Sequence, residues 1–233
     1  MTDSRVQPFE DSPANEVPVR GFLHIPAKAA PEATAGGIVL THGAGSNCQA
    51  PLLVTLADAF AENGIVVLRC DLPFRQLRPH GPPPRGAAER DQQGLRRAVE
   101  LLRAKIGGRV FLGGHSYGGR QASMLAAAQP GLADALLLLS YPLHLPKNPT
   151  QLRTAHFEQL RTPALFVSGT RDGFGTLDEM SAALRLVPAR TQLLPVDSAG
   201  HELLTPRNRA TLPQAIASAF AVFVAPAPSP ASF

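Results

Sequence analysis

The sequence predicts an α/β domain, a mostly parallel sheet covered by helices on both faces. Three observations carry this. Short apolar runs rich in β-branched residues recur along the chain, most of them are followed by a stretch with helical apolar spacing, and glycines, prolines and an Asn-Gly pair mark the junctions.

Taken in order, the first 18 residues are polar and proline-containing and read as a flexible segment. VRGFLHI (19–25) reads as the opening strand and GGIVLTH (36–42) as the next, with a turn-rich stretch between them. Pro51 opens a helix in which Leu52, Leu53, Leu56 and Phe60 share a face, and Asn63-Gly64 stops it. IVVLRC (65–70) is a buried strand, followed by a loop rich in proline and arginine, DLPFRQLRPHGPPPRGAAER (71–90). Leu95, Ala98, Val99, Leu102 and Ile106 then keep helical spacing up to Gly107-Gly108. RVFLGG (109–114) is a strand, about 117–129 a helix stopped by Pro130-Gly131, and ALLLLS (135–140) a strand. PALFVSG (163–169) precedes a helix opened by a Thr176-x-x-Glu179 capping box, with Leu177, Met180 and Leu184 on its apolar face. A strand at TQLLPV (191–196) and a helix carrying Ile216, Phe220 and Phe223 close the unit at about 224, and 225–233 is a Pro/Ala-rich tail.

With 233 residues, 44% of them hydrophobic, the chain is long enough for one domain with a substantial core. The net charge of +4 comes mainly from arginines dispersed among 18 acids, which argues against a nucleic-acid partner. No apolar run approaches the roughly 18 residues that would cross a bilayer, so no membrane partner is expected. The two cysteines, Cys48 and Cys70, form no CxxC pair; they predict neither a metal site nor a disulfide framework, and with the absence of a signal-like leader they point to the cytoplasm.

Chemistry concentrates in FLGGHSYGGRQA (111–122), where a G-x-S-x-G pattern lies between a strand and a helix. In that context a sharp turn lifts a serine hydroxyl above the sheet edge. A hydroxyl is a weak nucleophile without a base, so the reading requires a histidine and an orienting acid downstream. Asp172, in SGTRDGFG, follows one predicted strand, and His201, in SAGHELL, follows the last. Crossovers between parallel strands are right-handed, which places all these strand ends on one edge. Ser116, Asp172 and His201 are therefore the candidate catalytic residues. Two backbone amides, of Tyr117 and of Ala44, are the candidate oxyanion hole. Tyr117 follows the serine at a helix start, while Ala44 lies between Gly43 and Gly45 in HGAGSN, where Ser46 or Asn47 would also cap the next helix.

With HGAGSN, GHSYGG, the Asp-Gly loop and the late histidine in register, residues 19–224 resemble the α/β-hydrolase superfamily. The resemblance implies a mostly parallel eight-stranded sheet, a Ser-Asp-His triad and no cofactor. More narrowly, LLLLSYPLHLPKNPTQLR (136–153) with LFVSGTRD looks like the testis-expressed-type and NSL-complex-type α/β-hydrolase-like domains and their bacterial relatives, and more broadly like dienelactone hydrolases. The latter use cysteine where this chain has Ser116.

Only 22 residues, 141–162, separate two consecutive predicted strands, too few for a separate lid domain. Tyr141, Leu143, His144 and Phe174 are expected to line a shallow pocket. In the 71–90 loop, Arg75 and Arg78 are candidate ligands for an anionic substrate, set against the alternative of a solvated basic loop stiffened by prolines. The expectation is a serine hydrolase, carboxylesterase- or thioesterase-like, acting on a small acyl substrate. A small-peptide hydrolase and a non-catalytic interaction module on the same fold are the alternatives.

Overall fold

The structure, a computed structural model, describes residues 5–27 and 36–225. An eight-stranded sheet runs in the order β1-β2-β4-β3-β5-β6-β7-β8. Its strands are β1 (Arg5–Asp11), β2 (Val19–Ile25), β3 (Gly36–Thr41), β4 (Ile65–Cys70), β5 (Val110–His115), β6 (Leu136–Leu139), β7 (Ala164–Gly169) and β8 (Thr191–Val196). β1 and β2 pair antiparallel with each other, and β2 antiparallel with β4; every pairing from β4 through β8 is parallel. This is the α/β-hydrolase fold.

Side chains alternate across each strand, so the two faces separate the core into two layers. Ile38 and Leu40 of β3 and Phe111 of β5 face α1 (Pro51–Glu62) and α6 (Leu212–Val224), where Leu53, Leu56, Phe60, Ile216 and Phe220 pack. Phe220 is fully buried and meets Phe60 and Phe111 edge-on at 5.7 and 5.2 Å. Such a ring contributes roughly 1.5–3 kcal/mol by burial alone. Val39, Leu68, Leu112 and Phe166 point the other way, into α3 (Ala87–Ile106), α4 (Tyr117–Ala128) and α5 (Leu177–Leu184), through Leu95, Val99, Leu102, Leu125 and Met180. The capping box at Thr176 and Glu179 is formed as its sequence predicts.

Two elements differ from the sequence reading. Arg5–Asp11 falls inside the segment expected to be flexible, yet it forms β1, paired residue for residue from Arg5↔Ile25 to Asp11↔Val19. Its polarity is that of an edge strand: one side of its backbone is unpaired, and Pro8, which lacks an N–H, is tolerated there. Phe9 packs against the core, and Arg97 of α3 ion-pairs with Asp11 and Glu16. The 71–90 loop holds a short helix, α2 (Pro73–Leu77). Part of the turn-rich stretch before β3, residues 28–35, and the tail beyond Ala225 lie outside the described residues.

The β6–β7 connection carries only a 3-10 turn, Phe157–Gln159, and an isolated bridge from Leu145 to Asn148, so there is no separate lid. Among the described residues no helix is long and apolar enough to cross a membrane.

Candidate active site

Because β3 to β8 are parallel, the loops leaving their C-terminal ends gather on one edge of the sheet. Ser116 follows β5 in the left-handed region, with φ 50° and ψ −114°, the strained turn that raises a hydroxyl above that edge. Its amide donates to Leu139 O of β6 at 2.8 Å, and its carbonyl accepts from Arg120 N at 2.9 Å, closing the first turn of α4. The turn depends on Gly118: a Cβ there would lie 2.5 Å from His42 O and 2.6 Å from Thr41 Cγ2.

The structure brings Ser116, Asp172 and His201 together. The Ser116 hydroxyl lies 2.8 Å from His201 Nε2 and is placed to donate to it. His201 Nδ1–H faces both Asp172 oxygens, at 3.0 and 2.9 Å. Asp172 is buried and also accepts the Phe174 amide at 2.9 Å, which fixes its carboxylate across the loop. Phe174 lies against the His201 ring, with centroids 4.1 Å apart. A ring donor holds the histidine from behind: His115 Nε2, the donor in the neutral ring, reaches His201 O at 2.9 Å. Burial lowers the His115 pKa, keeping that ring uncharged. His115 has no role in the sequence reading, which misses this contact to the His201 backbone.

Ala44 and Tyr117 both border the cleft over Ser116, and neither amide donates a hydrogen bond among the described residues. Gly43 makes a close approach, since a Cβ there would meet His115 Nδ1 at 3.0 Å, whereas Gly45 faces open space. Neither Ser46 nor Asn47 caps α1; its N-cap is Ala50, and Asn47 instead turns its Oδ1 onto Gln49 N at 2.8 Å.

The loop carrying Ala44 is pinned from outside. Arg75 is buried, and its guanidinium donates to Ser46 O at 2.7 Å, to Ala44 O and Gly81 O at 2.9 Å, and to Arg78 O at 3.0 Å. The expectation that Arg75 meets substrate is thereby corrected: all four bonds go to backbone carbonyls, and the group serves the scaffold. Arg78 is exposed and does not border the cleft; the parts of its loop that do are Pro82 and Pro83. His42, also buried, donates from Nδ1 to Gly43 O at 2.8 Å and accepts Leu72 N at Nε2 at 3.1 Å, a neutral tautomer consistent with its burial-lowered pKa. Tyr117 points its phenol away from the cleft onto Asp91, at 2.8 Å, and Asp91 also accepts Phe74 N at 3.0 Å.

The cleft has a volume of about 670 Å³. Phe174 lines it as expected, but Tyr141, Leu143 and His144 do not: they are buried beneath it, Tyr141 donating to Arg153 O at 2.6 Å and His144 facing Glu179 at 3.4 Å. Tyr141 and Leu143 join the core and His144 is held by Glu179 and Leu145 O, while Pro142 and Leu145, their neighbours, reach the cleft instead. Two arginines absent from the sequence reading, Arg120 and Arg153, complete its wall.

A strained serine turn at the edge of this sheet, with histidine and acid arriving from later strands, defines an α/β hydrolase. The sequence matches the alpha/beta hydrolase domain family over residues 34–225, and the chain belongs to that family. Among solved structures it is similar to a dienelactone hydrolase from Anabaena variabilis, at 20% identity and a TM-score of 0.72, covering 93% of this chain and 97% of that one. It is also similar to an alpha-beta serine hydrolase homologue from Coxiella burnetii, at 16% identity and a TM-score of 0.72, covering 94% and 98%. A third likeness is to an esterase from Pyrococcus furiosus, at 15% identity and a TM-score of 0.72, covering 95% and 91%. These likenesses establish the shared fold.

Proposed function

We propose that this hydrolase is a serine enzyme that cleaves a small carboxylic ester or thioester through an acyl-enzyme. The observation that carries the reading is the hydrogen-bonded series from Ser116 Oγ through His201 to Asp172, set beside two uncommitted amides in one cleft. Ser116 Oγ attacks the acyl carbon as His201 Nε2 takes its proton. The oxygen that gains the charge is held by the Tyr117 and Ala44 amides, fixed before the reaction begins. As the tetrahedral species collapses, the leaving alkoxide or thiolate takes the proton back from His201. Water, deprotonated by the same nitrogen, then releases the acid and restores the serine. Asp172 holds the Nδ1–H tautomer and stabilises the imidazolium. No step calls on a cofactor.

An open cleft without a lid suits small substrates, and the likeness to an esterase favours an ester over a peptide. The narrower kinship with testis-expressed-type and NSL-complex-type domains rests on residues 136–153 and belongs to the same proposal, as does a cytoplasmic setting, consistent with two buried free thiols.

The test is labelling by a fluorophosphonate probe. The native chain is expected to label, and Ser116→Ala and His201→Ala to lose labelling while remaining folded. A folded native protein that neither labels nor turns over any ester would overturn the reading in favour of a non-catalytic interaction module.

A further inference from the structure

Arg120 and Arg153 stand where the cleft over Ser116 meets a second groove of about 540 Å³, and both border the two cavities. Arg120 lies one helical turn beyond the serine on α4, while Arg153 comes from the β6–β7 connection, its amide fixed on Leu143 O at 2.8 Å. Some arginines ion-pair with acids, Arg97 with Asp11 and Glu16 and Arg96 with Glu100, and buried Arg75 is satisfied by backbone carbonyls. Among the described residues, no carboxylate pairs with Arg120 or Arg153. Arg120 Nε is buried and has no hydrogen-bond partner.

The surroundings hold the two charges close without neutralising them. Each arginine is half-buried, and Arg153 is made less basic first by burial and then by the field of Arg120. The Tyr141 hydroxyl donates to Arg153 O. His156, 2.8 Å from Ser123 Oγ, is pushed down to about 4 by burial and by Arg120, so it stays neutral and adds no third charge. Glu202 borders the Ser116 cleft but does not border the second groove. Two like charges near each other at a half-buried site repel, and an anion between them converts that repulsion into two charge-assisted interactions. The groove beyond them has a mixed lining, with Met124, Leu145 and Leu152 beside Gln151, His156 and Gln159.

We propose that Arg120 and Arg153 form a carboxylate-binding site, so that the ester this enzyme cleaves carries a free carboxylate a short chain away from the scissile carbonyl. The proposal rests on the hydrolase reading above for the cleavage itself. It transfers anion recognition from Arg75 and Arg78 to a different pair of residues.

The test compares kcat/KM for two pairs of esters of matched size. One pair is p-nitrophenyl hemisuccinate and p-nitrophenyl butyrate, with the charge on the acyl side; the other is 4-carboxyphenyl butyrate and phenyl butyrate, with the charge on the leaving group. The native enzyme is expected to favour the anionic member of at least one pair by roughly 10- to 100-fold, the range of a charge-assisted hydrogen bond. Arg120→Gln and Arg153→Gln should each reduce that ratio, and Arg120→Lys, which keeps the charge without the fork, should retain part of it. Equal or neutral-preferring ratios in both pairs would overturn the proposal and leave the hydrolase reading standing. Calorimetric titration of glutarate into Ser116→Ala protein gives a readout without turnover. Saturable binding that weakens with salt and is lost in Ser116→Ala/Arg153→Gln supports the site even if no ester is cleaved, whereas absence of binding to folded Ser116→Ala refutes it.

Discussion

Replacing Arg75 by Met tests whether the loop bearing Ala44 is held in place by its carbonyls. The substitution keeps much of the stem volume and removes four donors that now serve Ala44, Ser46, Arg78 and Gly81. Hydrogen bonds from a charged group contribute roughly 1.5–3 kcal/mol each, but the four share one side chain and are not additive. Water entering the gap would satisfy part of what is lost, so the expected destabilisation is about 3–5 kcal/mol, within the stability of a typical domain. Removing an oxyanion donor outright costs about 10²–10³ in kcat. Here the amide remains but is no longer fixed, and a loss of about 10- to 100-fold is expected, with KM nearly constant because the contact matters in the transition state. The assay is steady-state kinetics on one neutral and one anionic short-chain ester, beside thermal unfolding. Both esters should lose kcat to the same degree, and Arg75→Lys should recover part of it. Unchanged kcat in a folded, destabilised protein would refute the positioning role, and a loss confined to the anionic ester would return Arg75 to the substrate.

Three further outcomes follow from the same geometry. Burial lowers the pKa of His42, His115 and His156 below the unfolded reference of about 6.5, so the unfolded chain binds more protons as pH falls. Their stabilisation is therefore present above about pH 6.5 and is lost below it, by up to about 1.4 kcal/mol per histidine between pH 7.5 and 5.5; a urea midpoint that does not fall over that range contradicts the neutral assignments. Gly118→Ala forces a Cβ to within 2.5 Å of His42 O, and should destabilise by about 1–3 kcal/mol and suppress fluorophosphonate labelling; an active, fully stable variant would show that the elbow yields easily. Burial pushes the Cys48 thiol up to about 12 and raises that of Cys70 as well, so a thiol reagent should react with both only at the rate of unfolding; fast modification of the native protein would contradict their packing.

The features legible from the sequence share a physical reason. Ser116, Asp172 and His201 each lie just beyond an apolar run, and parallel topology turns that local fact into a common edge. Arg120 stood in the same glycine-rich stretch as the serine and could have been placed by helical spacing, four residues on and therefore one turn away. Arg153 carried no such signal, because its position depends on how an irregular connection folds over Tyr141. β1 was obscured because an edge strand satisfies half its backbone with solvent and has little apolar pattern to display. Arg75 misled for a different reason: in a proline-rich loop a charged side chain reads as solvent-facing, and nothing local announces that four carbonyls converge on it.

That convergence also bears on how the enzyme could diversify. Arg75 grips the HGAGSN loop by main-chain oxygens common to every amino acid, so the loop's geometry does not depend on the side chains of Ala44 or Ser46, both of which border the cleft. The loop's backbone path and the side chains it presents to the cleft are thereby set by separate groups. Libraries varied at positions 44 and 46, with Arg75 left intact, should contain many members that keep the chemistry and change what they accept.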